Sequence, residues 1–590
     1  MMEKHNKSVG ELRSSQLVTT FGIGAIVDFM NYSVMVLGQN YWNINNLNTI
    51  REERLERKLR VDKFLHPKID YSTFSNRIIP SIPCIRFPEW VFCRNCKRLA
   101  PYYGFDSSLD IKYCKVCSTR IRYFPLIPAR FIISCENGHI ADFPWIWWVH
   151  RGERCNSPDM RISATGRSTS LSSILISCKT CKSERTLEGI FSKYALKGKK
   201  CEGRRPWLKD RQDCEEEPVV LQRGSASVWF PEMESAISIP PFSSNIFKLF
   251  LNPEIENLFD SIPEDILPKV LEEYIKKMNI PFSIETVIDA YKRRKKYKES
   301  DRIEDLRFEE YLALINPSDR DEGSKTEFSS RNEKVPRLFQ PLISKIILID
   351  RLREVRALKA FKRINPESEG ASRLSAKEEN WLPAIEVKGE GIFIELNENA
   401  LASWKKRGGK SLMERSRIIE SRKRALKQKG KWVPDSYVTP EFLIIHTLAH
   451  LMIQQLTVEC GYSSASLRER LYTSEEGNKD QHMFGFLIYT ASADSEGSLG
   501  GLVRQGKTKR FEEVLINTLE RAKWCSNDPL CLESFGQGMN SLNLAACHAC
   551  TLLPETSCEL RNCYLDRGFV IGFRGNPEFG FFSAESGCHL

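Results

Sequence analysis

The sequence predicts an α+β multidomain protein with a cysteine-rich region towards each end and a mostly helical middle. Three observations carry this. The chain has 590 residues, which at roughly 150 residues per domain allows about three to four domains with cores of their own. Its residues are 41% hydrophobic, 28% charged and 10% aromatic, the composition of a folded chain rather than a disordered tail or a membrane bundle. Its 19 cysteines fall in two groups, eleven between Cys84 and Cys214 and eight beyond residue 436.

The elements follow in order. Residues 1–80 form an α+β lead-in, with strand-like runs GAIVDF and SVMVLG and a polar helix, REERLERKLRVDKF. Residues 81–220 hold the first cysteine group among aromatics and few helical patterns, as expected where metal replaces an extensive core. In residues 221–435, FKLFLNPEIENLF, LPKVLEEYIKKMNI and PLISKIILIDRLREVRALKAF carry the i, i+3, i+4 spacing of amphipathic helices. Within that region WLPAIEVKGEGIFIEL reads as a strand, with Val387, Ile392, Ile394 and Leu396 in partial alternation. The helix FLIIHTLAHLMIQQL opens residues 436–590. No window holds the roughly 18 uninterrupted apolar residues of a membrane helix, so no membrane partner is expected. Glu11, Arg13 and Asp28 interrupt the start as a secretory leader. The expectation is a cytoplasmic chain, where paired cysteines are metal ligands more often than disulfides.

Spacing then singles out ligands. Cys93-x2-Cys96 and Cys114-x2-Cys117, seventeen residues apart, match a zinc ribbon, in which two turns present four thiolates to one ion. Cys178-x2-Cys181 followed by Cys201 and Cys214 reads as a second structural zinc. Between the two, Cys135, His139, His150 and Cys155 make a third site arithmetically possible. The apolar setting FIISCENGHIADFPWIWW favours buried thiols instead. At the C-terminus Cys547-x2-Cys550 supports one tetrahedral site. Cys525, Cys531, Cys558 and Cys563 compete to complete it. His446-x3-His450 places two imidazoles on one helical face, but HTLAH lacks the Glu of the HExxH motif, and packed helix histidines are expected. The cofactor is therefore expected to be Zn2+. The fold class becomes an N-terminal zinc-ribbon region, a mostly helical middle and a C-terminal α/β cysteine-rich zinc-binding domain.

Lys and Arg number 87 against 76 Asp and Glu, a net charge of +11, a moderate bias towards polyanions. Residues 401–432 hold 12 Lys/Arg against 2 Glu. Lys405, Lys406, Arg407, Arg422, Lys423 and Arg424 are the candidate DNA-phosphate contacts, with Trp404 and Trp432 available for base stacking, unless the run is a solvated helix face. Tyr291–Lys298 is a denser, shorter basic run. Gly501-Leu-Val-Arg-Gln-Gly506-Lys507-Thr508 fits the P-loop letters, yet eleven residues separate Gly501 from Tyr489 of the strand-like FLIYT, where a working loop joins strand to helix directly. An autonomous NTPase using Gly506, Lys507 and Thr508 is thus an alternative function. A zinc-dependent hydrolase built from His139 and His150, or from His446 and His450, is another.

VGELRSSQLVTTFGIGAIVDF, HTLAHLMIQQL, CGYSSASLRERLY, DSEGSLGGL, CSNDPLC, CHACTLLPETSCE and the Asn562–Arg567 string N-x2-L-D-R together resemble the DrmB family. Its members are helicase-partner subunits of DISARM anti-phage defence systems. The last 150 residues resemble the cysteine-rich domain of MrfA-like DNA-repair helicases, which binds one zinc. The resemblance implies that Cys547, Cys550, Cys558 and Cys531 are ligands, with Cys525 competing for the fourth place and Cys563 at a spacer position. It also implies a non-catalytic subunit of an antiviral defence heterodimer that contacts DNA beside a DrmA-type helicase subunit holding the ATPase machinery.

Overall fold

Alternate side chains of one sheet fill two different cores. In the computed structural model Ile346, Leu348, Ile392, Ile394, Phe486 and Ile488 pack on one face, and Ile347, Ile349, Phe393, Leu487 and Tyr489 on the other. That period of two is the signature of a strand buried on both sides. The structure describes residues 12–583 apart from 30–31, 45–46, 70–81, 106–112, 120, 154, 165–169, 241–242, 244–245, 247–249, 251–254, 256–258, 260, 264–265, 267, 271, 274–282, 300–304, 317–326, 367–369, 432, 475–480, 491–499 and 574. The chain divides into two compact units. One comprises Met1–Ile50, Leu59–Glu234 and Arg356–Ile385, the other Arg51–Lys58, Ser235–Val355 and Glu386–Leu590.

In the second unit the sheet is antiparallel. Ser330 pairs with Ile349, Gly391 with Tyr489 and Leu467 with Thr490. The helix Pro440–Cys460 covers one face. Its start is fixed by Thr439, whose Oγ1 accepts from the Phe442 N–H at 3.1 Å, and by Pro440 at the first turn. It ends at Gly461, which takes φ 69°. Helix Thr508–Ala522 packs beside it through Phe511, Val514, Leu515, Thr518, Leu519 and Ala522, an i, i+3, i+4 stripe. Helix Leu306–Ile315 covers the other face with Tyr311 and Leu314.

The mixed α+β class holds, but the middle region carries sheet as well as helix. PLISKIILIDRLREVRALKAF, expected to be helical, is the strand Ile343–Lys362. Its apolar run IILI is too short for periodicity to tell strand from helix, and beyond it the strand buries charged residues, Arg353, Glu354 and Arg356, so the sequence shows no two-residue alternation. WLPAIEVKGEGIFIEL is the strand Trp381–Leu396, as expected. FKLFLNPEIENLF and LPKVLEEYIKKMNI fall largely outside the described residues. Among the described residues, no helix is long and apolar enough to cross a membrane.

The first unit is built from small sheets. Trp90–Cys93 pairs with Leu99–Pro101 and Leu126–Pro128, Phe131–Ser134 with Ile140–Asp142 and Val219–Gln222, and Ile174–Cys178 with Met160–Ala164 and Glu184–Thr186. Three short strands are near the minimum for independent stability. Phe131, Phe143, Trp145, Trp148, Leu187 and Ile190 share one core between two of these sheets.

A buried ion pair anchors the sheet of the second unit. Arg470 Nε and Nη2 each lie 2.6 Å from the Glu310 carboxylate, which also accepts from the Ile237 N–H and the Tyr472 hydroxyl. Removing one member of such a pair leaves an uncompensated charge in the core, whereas removing both does not. Arg470→Ala is expected to cost about 3–5 kcal/mol in urea unfolding, and the double change Arg470→Leu with Glu310→Leu much less. Equal losses in the two variants would show that the pair's charge balance does not govern stability there.

Candidate metal centres

Four cysteine-rich sets bring their ligand atoms within 4.8 Å of one another: Cys93, Cys96, Cys114 and Cys117; Cys135, His139, Cys201 and Cys214; His150, Cys155, Cys178 and Cys181; and Cys525, Cys531, Cys547 and Cys550. All the described cysteines are free thiols.

The first set is the ribbon that the spacing predicts. Each Cys-x2-Cys sits in a tight turn: the Cys93 N–H donates to Arg98 O and the Lys97 N–H back to Cys93 O, while the Cys114 N–H donates to Phe124 O and the Ser118 N–H to Cys114 O. Lys97 adopts φ 62°, which folds the turn so that both thiols face one point. The Cys178 turn repeats the geometry, with Cys178 N–H to Ser183 O, Lys182 N–H to Cys178 O, and Lys182 at φ 66°.

The second and third sets correct the expected grouping. Cys178 and Cys181 do not meet Cys201 and Cys214; each pair belongs to a different set. Helix Trp145–His150 decides the first of these. Trp148 Nε1 donates to Thr186 O at 3.1 Å, and the Arg185 guanidinium stacks 3.7 Å from the Trp148 ring centroid, so the helix end is held against the strands that carry the turn. That brings His150 Nε2 to 3.1 Å from Cys181 Sγ and Cys155 Sγ to 4.0 Å from Cys178 Sγ. In the other set, Cys135-x3-His139 is the turn between strands Phe131–Ser134 and Ile140–Asp142. The strand Val219–Gln222 pairs alongside, Val219 opposite Ser134, and draws Cys214 to 3.9 Å from Cys135. The turn needs Gly138, at φ 78° with a Cβ position 2.0 Å from Ser372 Oγ. The segment that presents Cys201 needs Gly203, at φ 61° and 1.5 Å from Gln212 O. The buried Arg363 guanidinium donates to the Gly138, Val228 and Gly24 carbonyls at 3.0, 2.6 and 2.7 Å. Burial pushes it down to about 9. The aromatic setting that favoured buried thiols for Cys135 and Cys155 supplies the walls of these sets.

At the C-terminus both Cys525 and Cys531 join Cys547 and Cys550, with Sγ separations of 3.5 Å for Cys525–Cys547, 3.7 Å for Cys531–Cys550 and 3.7 Å for Cys547–Cys550. Cys558 stands outside this set, beside His446, His450 and Glu469. The competition between Cys525 and Cys531 arose because Cys558 occupied a place in the expected group. Cys563 is buried and belongs to none of these sets.

The geometry suits zinc. Bonds of about 2.3 Å to thiolate and about 2.0–2.1 Å to imidazole put tetrahedral neighbours roughly 3.3–3.8 Å apart, close to the separations above. One thiol in several sets is already held low. The neighbouring Cys531 brings Cys550 down to about 5, and the Asn95 side chain brings Cys117 to about 7. Against its own burial, the Cys181 N–H and His150 bring Cys178 to about 6. Four protein ligands per set leave no position for water, so such a metal braces the fold rather than supplying Lewis-acid chemistry. His139 and His150 fall in different sets and are not brought together as a pair.

The P-loop letters do not form a phosphate cradle. Gly501–Gln505 is helical, Gly506 packs against Leu348 and Ile392, and the Thr508 N–H donates to Glu333 Oε1 at 3.1 Å. Trp404, a stacking candidate, is a core residue whose Nε1 donates to Phe579 O at 2.8 Å. Trp432 lies outside the described residues, as do the side chains of Arg293, Arg294 and Lys296–Lys298.

Closed cysteine-rich sets whose geometry suits zinc, in a chain of mixed helices and strands, define an α+β protein of the zinc-binding class. Residues 13–230 match a domain of unknown function (DUF8724), and residues 448–551 match the MrfA Zn-binding domain. Zinc is the cofactor. Over 574 residues the chain is 32% identical to the DISARM protein DrmB of Bacillus paralicheniformis, an alignment covering 92% of this chain and 97% of that one, and the chain belongs to the DrmB family. The crystal structure of the DUF1998 helicase MrfA bound to DNA aligns with 36% of this chain and 22% of its own at 11% identity and a TM-score of 0.18, too low to support a shared arrangement.

The regrouping is testable by counting metal. Cys178→Ser and Cys201→Ser are each expected to lose one zinc per chain, and the double variant two, by elemental analysis of protein purified without chelators. If the double variant loses no more than either single one, the two cysteines share an ion and the grouping is wrong.

Proposed function

We propose that this protein is a non-catalytic, zinc-braced, cytoplasmic subunit of a DISARM-type anti-phage complex, acting beside a DrmA-type helicase and contacting DNA. The near full-length identity to a DISARM protein DrmB carries the reading. The match of residues 448–551 to the MrfA Zn-binding domain supports it, since that domain type takes its name from a helicase.

Helix Glu398–Gln428 is the proposed DNA-facing element, and its side chains sort by face. Arg415 is buried with Asp566 at 2.5 Å, Lys423 is buried and donates to Ser436 O, and Arg422 donates to the Phe535 and Ser541 carbonyls. Lys405 pairs with Glu441 at 2.5 Å. These four hold the helix to its unit. Lys410, Arg417 and Arg424 recur every seventh residue on the exposed side, with Lys406 and Arg407 exposed beyond the kink at Gly409. The proposed phosphate contacts are therefore Lys406, Arg407, Lys410, Arg417 and Arg424, and the inward Arg422 and Lys423 are positioning residues.

Changing Lys406, Lys410, Arg417 and Arg424 together to Gln is expected to weaken DNA binding by the helicase complex. The slope of log affinity against log salt should become shallower by about 0.9 for each duplex phosphate that no longer meets a cationic side chain. Unchanged affinity and slope would remove this helix from the interface; failure of the complex to form instead would make it a protein-docking surface. Lys507→Ala is expected to leave defence activity in cells intact. A folded, soluble Lys507→Ala protein without defence activity would return the NTPase reading.

A further inference from the structure

We propose that His446, His450, Glu469 and Cys558 form a fifth metal site, taking a divalent cation of zinc's tetrahedral kind. It goes beyond the function proposed above and needs neither helicase nor DNA. The two histidines stand one turn apart on helix Pro440–Cys460, Glu469 lies on strand Leu467–Thr473, and Cys558 follows the Cys547-x2-Cys550 turn. One ligand atom from each lies within 4.8 Å of the others. The His446, His450 and Glu469 side chains are 0% exposed, and Cys558 is 6% exposed.

Hydrogen bonding at His450 carries the inference. Its Nδ1 lies 3.0 Å from Thr551 O, a carbonyl that can only accept, so Nδ1 holds the proton. In the neutral ring Nε2 is then a bare lone pair. It faces Glu469 Oε2, another acceptor, at 3.4 Å, and neither atom has a hydrogen-bond partner. Two buried acceptors do not face each other without a cation between them. His446 Nε2 lies 3.1 Å from Glu469 Oε1 and 3.4 Å from Cys558 Sγ, near the edges of a tetrahedral shell. A backbone carbonyl behind a metal-bound imidazole is the usual outer partner of such a ligand.

Cys558 is prepared as the cysteines of the other sets are. Its Sγ accepts the Leu560 and Asn562 N–H groups at 3.3 and 3.2 Å, as Cys201 accepts from Gly203 at 3.3 Å and Cys525 from Asn527 at 3.4 Å. One carboxylate and one thiolate balance a dication, and two neutral imidazoles complete four ligands. The shell is closed and dry, so the metal would tie helix, strand and loop together rather than activate water.

The test uses the full chain. Elemental analysis is expected to find five zincs per chain in the natural protein and four in Glu469→Gln, whose side chain keeps the shape but not the charge. Cadmium NMR of the cadmium-reconstituted natural protein adds a readout that does not depend on the variant folding. A mixed nitrogen, oxygen and sulfur site gives a resonance well upfield of those from thiolate-rich sites. That resonance is expected, and expected to be missing from a folded Glu469→Gln protein. Its absence from the natural protein, or equal zinc content in the two proteins, would overturn the site and leave His450 protonated on both nitrogens, facing Glu469 as an ion pair.

Discussion

Three or four thiolates gathered within about 5 Å repel one another, and a cation is what permits the gathering. The first unit depends on this. Three of its three-stranded sheets, those of Trp90–Cys93, Phe131–Ser134 and Ile174–Cys178, each present a cysteine turn at one end, and each is a small sheet of short strands. Two of the turns also hold non-glycine residues, Lys97 and Lys182, in left-handed backbone, a conformation that a loop keeps only when something over-determines it.

The residual charge is managed locally. A dication with three thiolates and a histidine leaves about one negative charge, and with four thiolates about two. Arg363 is buried beside the Cys135 set, donates to three backbone carbonyls, and feels Cys135 as its favourable charge. Arg567 does the same for the C-terminal set, donating to Ala522 O and Asp528 while Cys550 and Cys531 favour its charged form. Each arginine also fixes backbone that shapes the neighbouring turn or helix end, so charge balance and geometry come from one side chain.

Much of this was legible in the residues and the rest was not, for specific reasons. A Cys-x2-Cys turn is local, so Cys93, Cys96, Cys114, Cys117, Cys178, Cys181, Cys547 and Cys550 announce themselves. Their distant partners depend on packing. His150 reaches Cys181 because Trp148 docks on the strand pair, and Cys214 reaches Cys135 because Val219 pairs with Ser134. Glu469 carries no spacing signal at all, lying mid-strand between Arg468 and Arg470. Ile343–Lys362 misled because it buries charged residues, Arg353, Glu354 and Arg356, beside apolar ones, and so shows no polar–apolar alternation. On helix Glu398–Gln428 composition showed the positive charge, but only the packing of Leu412, Ile419 and Lys423 shows which face is turned inward.

The two middle sets of the first unit are nested along the chain: Cys135 and His139 come first, then His150, Cys155, Cys178 and Cys181, then Cys201 and Cys214. The inner set is complete within one continuous stretch, and closing it shortens the loop that the outer set must close. On a ribosome this imposes an order. The inner ion can be captured while Cys201 and Cys214 are still in the exit tunnel, and the outer pair, Cys135 and His139, must wait with its ligands half assembled. Metal starvation during synthesis would then strand the chain at a defined stage, with the outer thiols exposed.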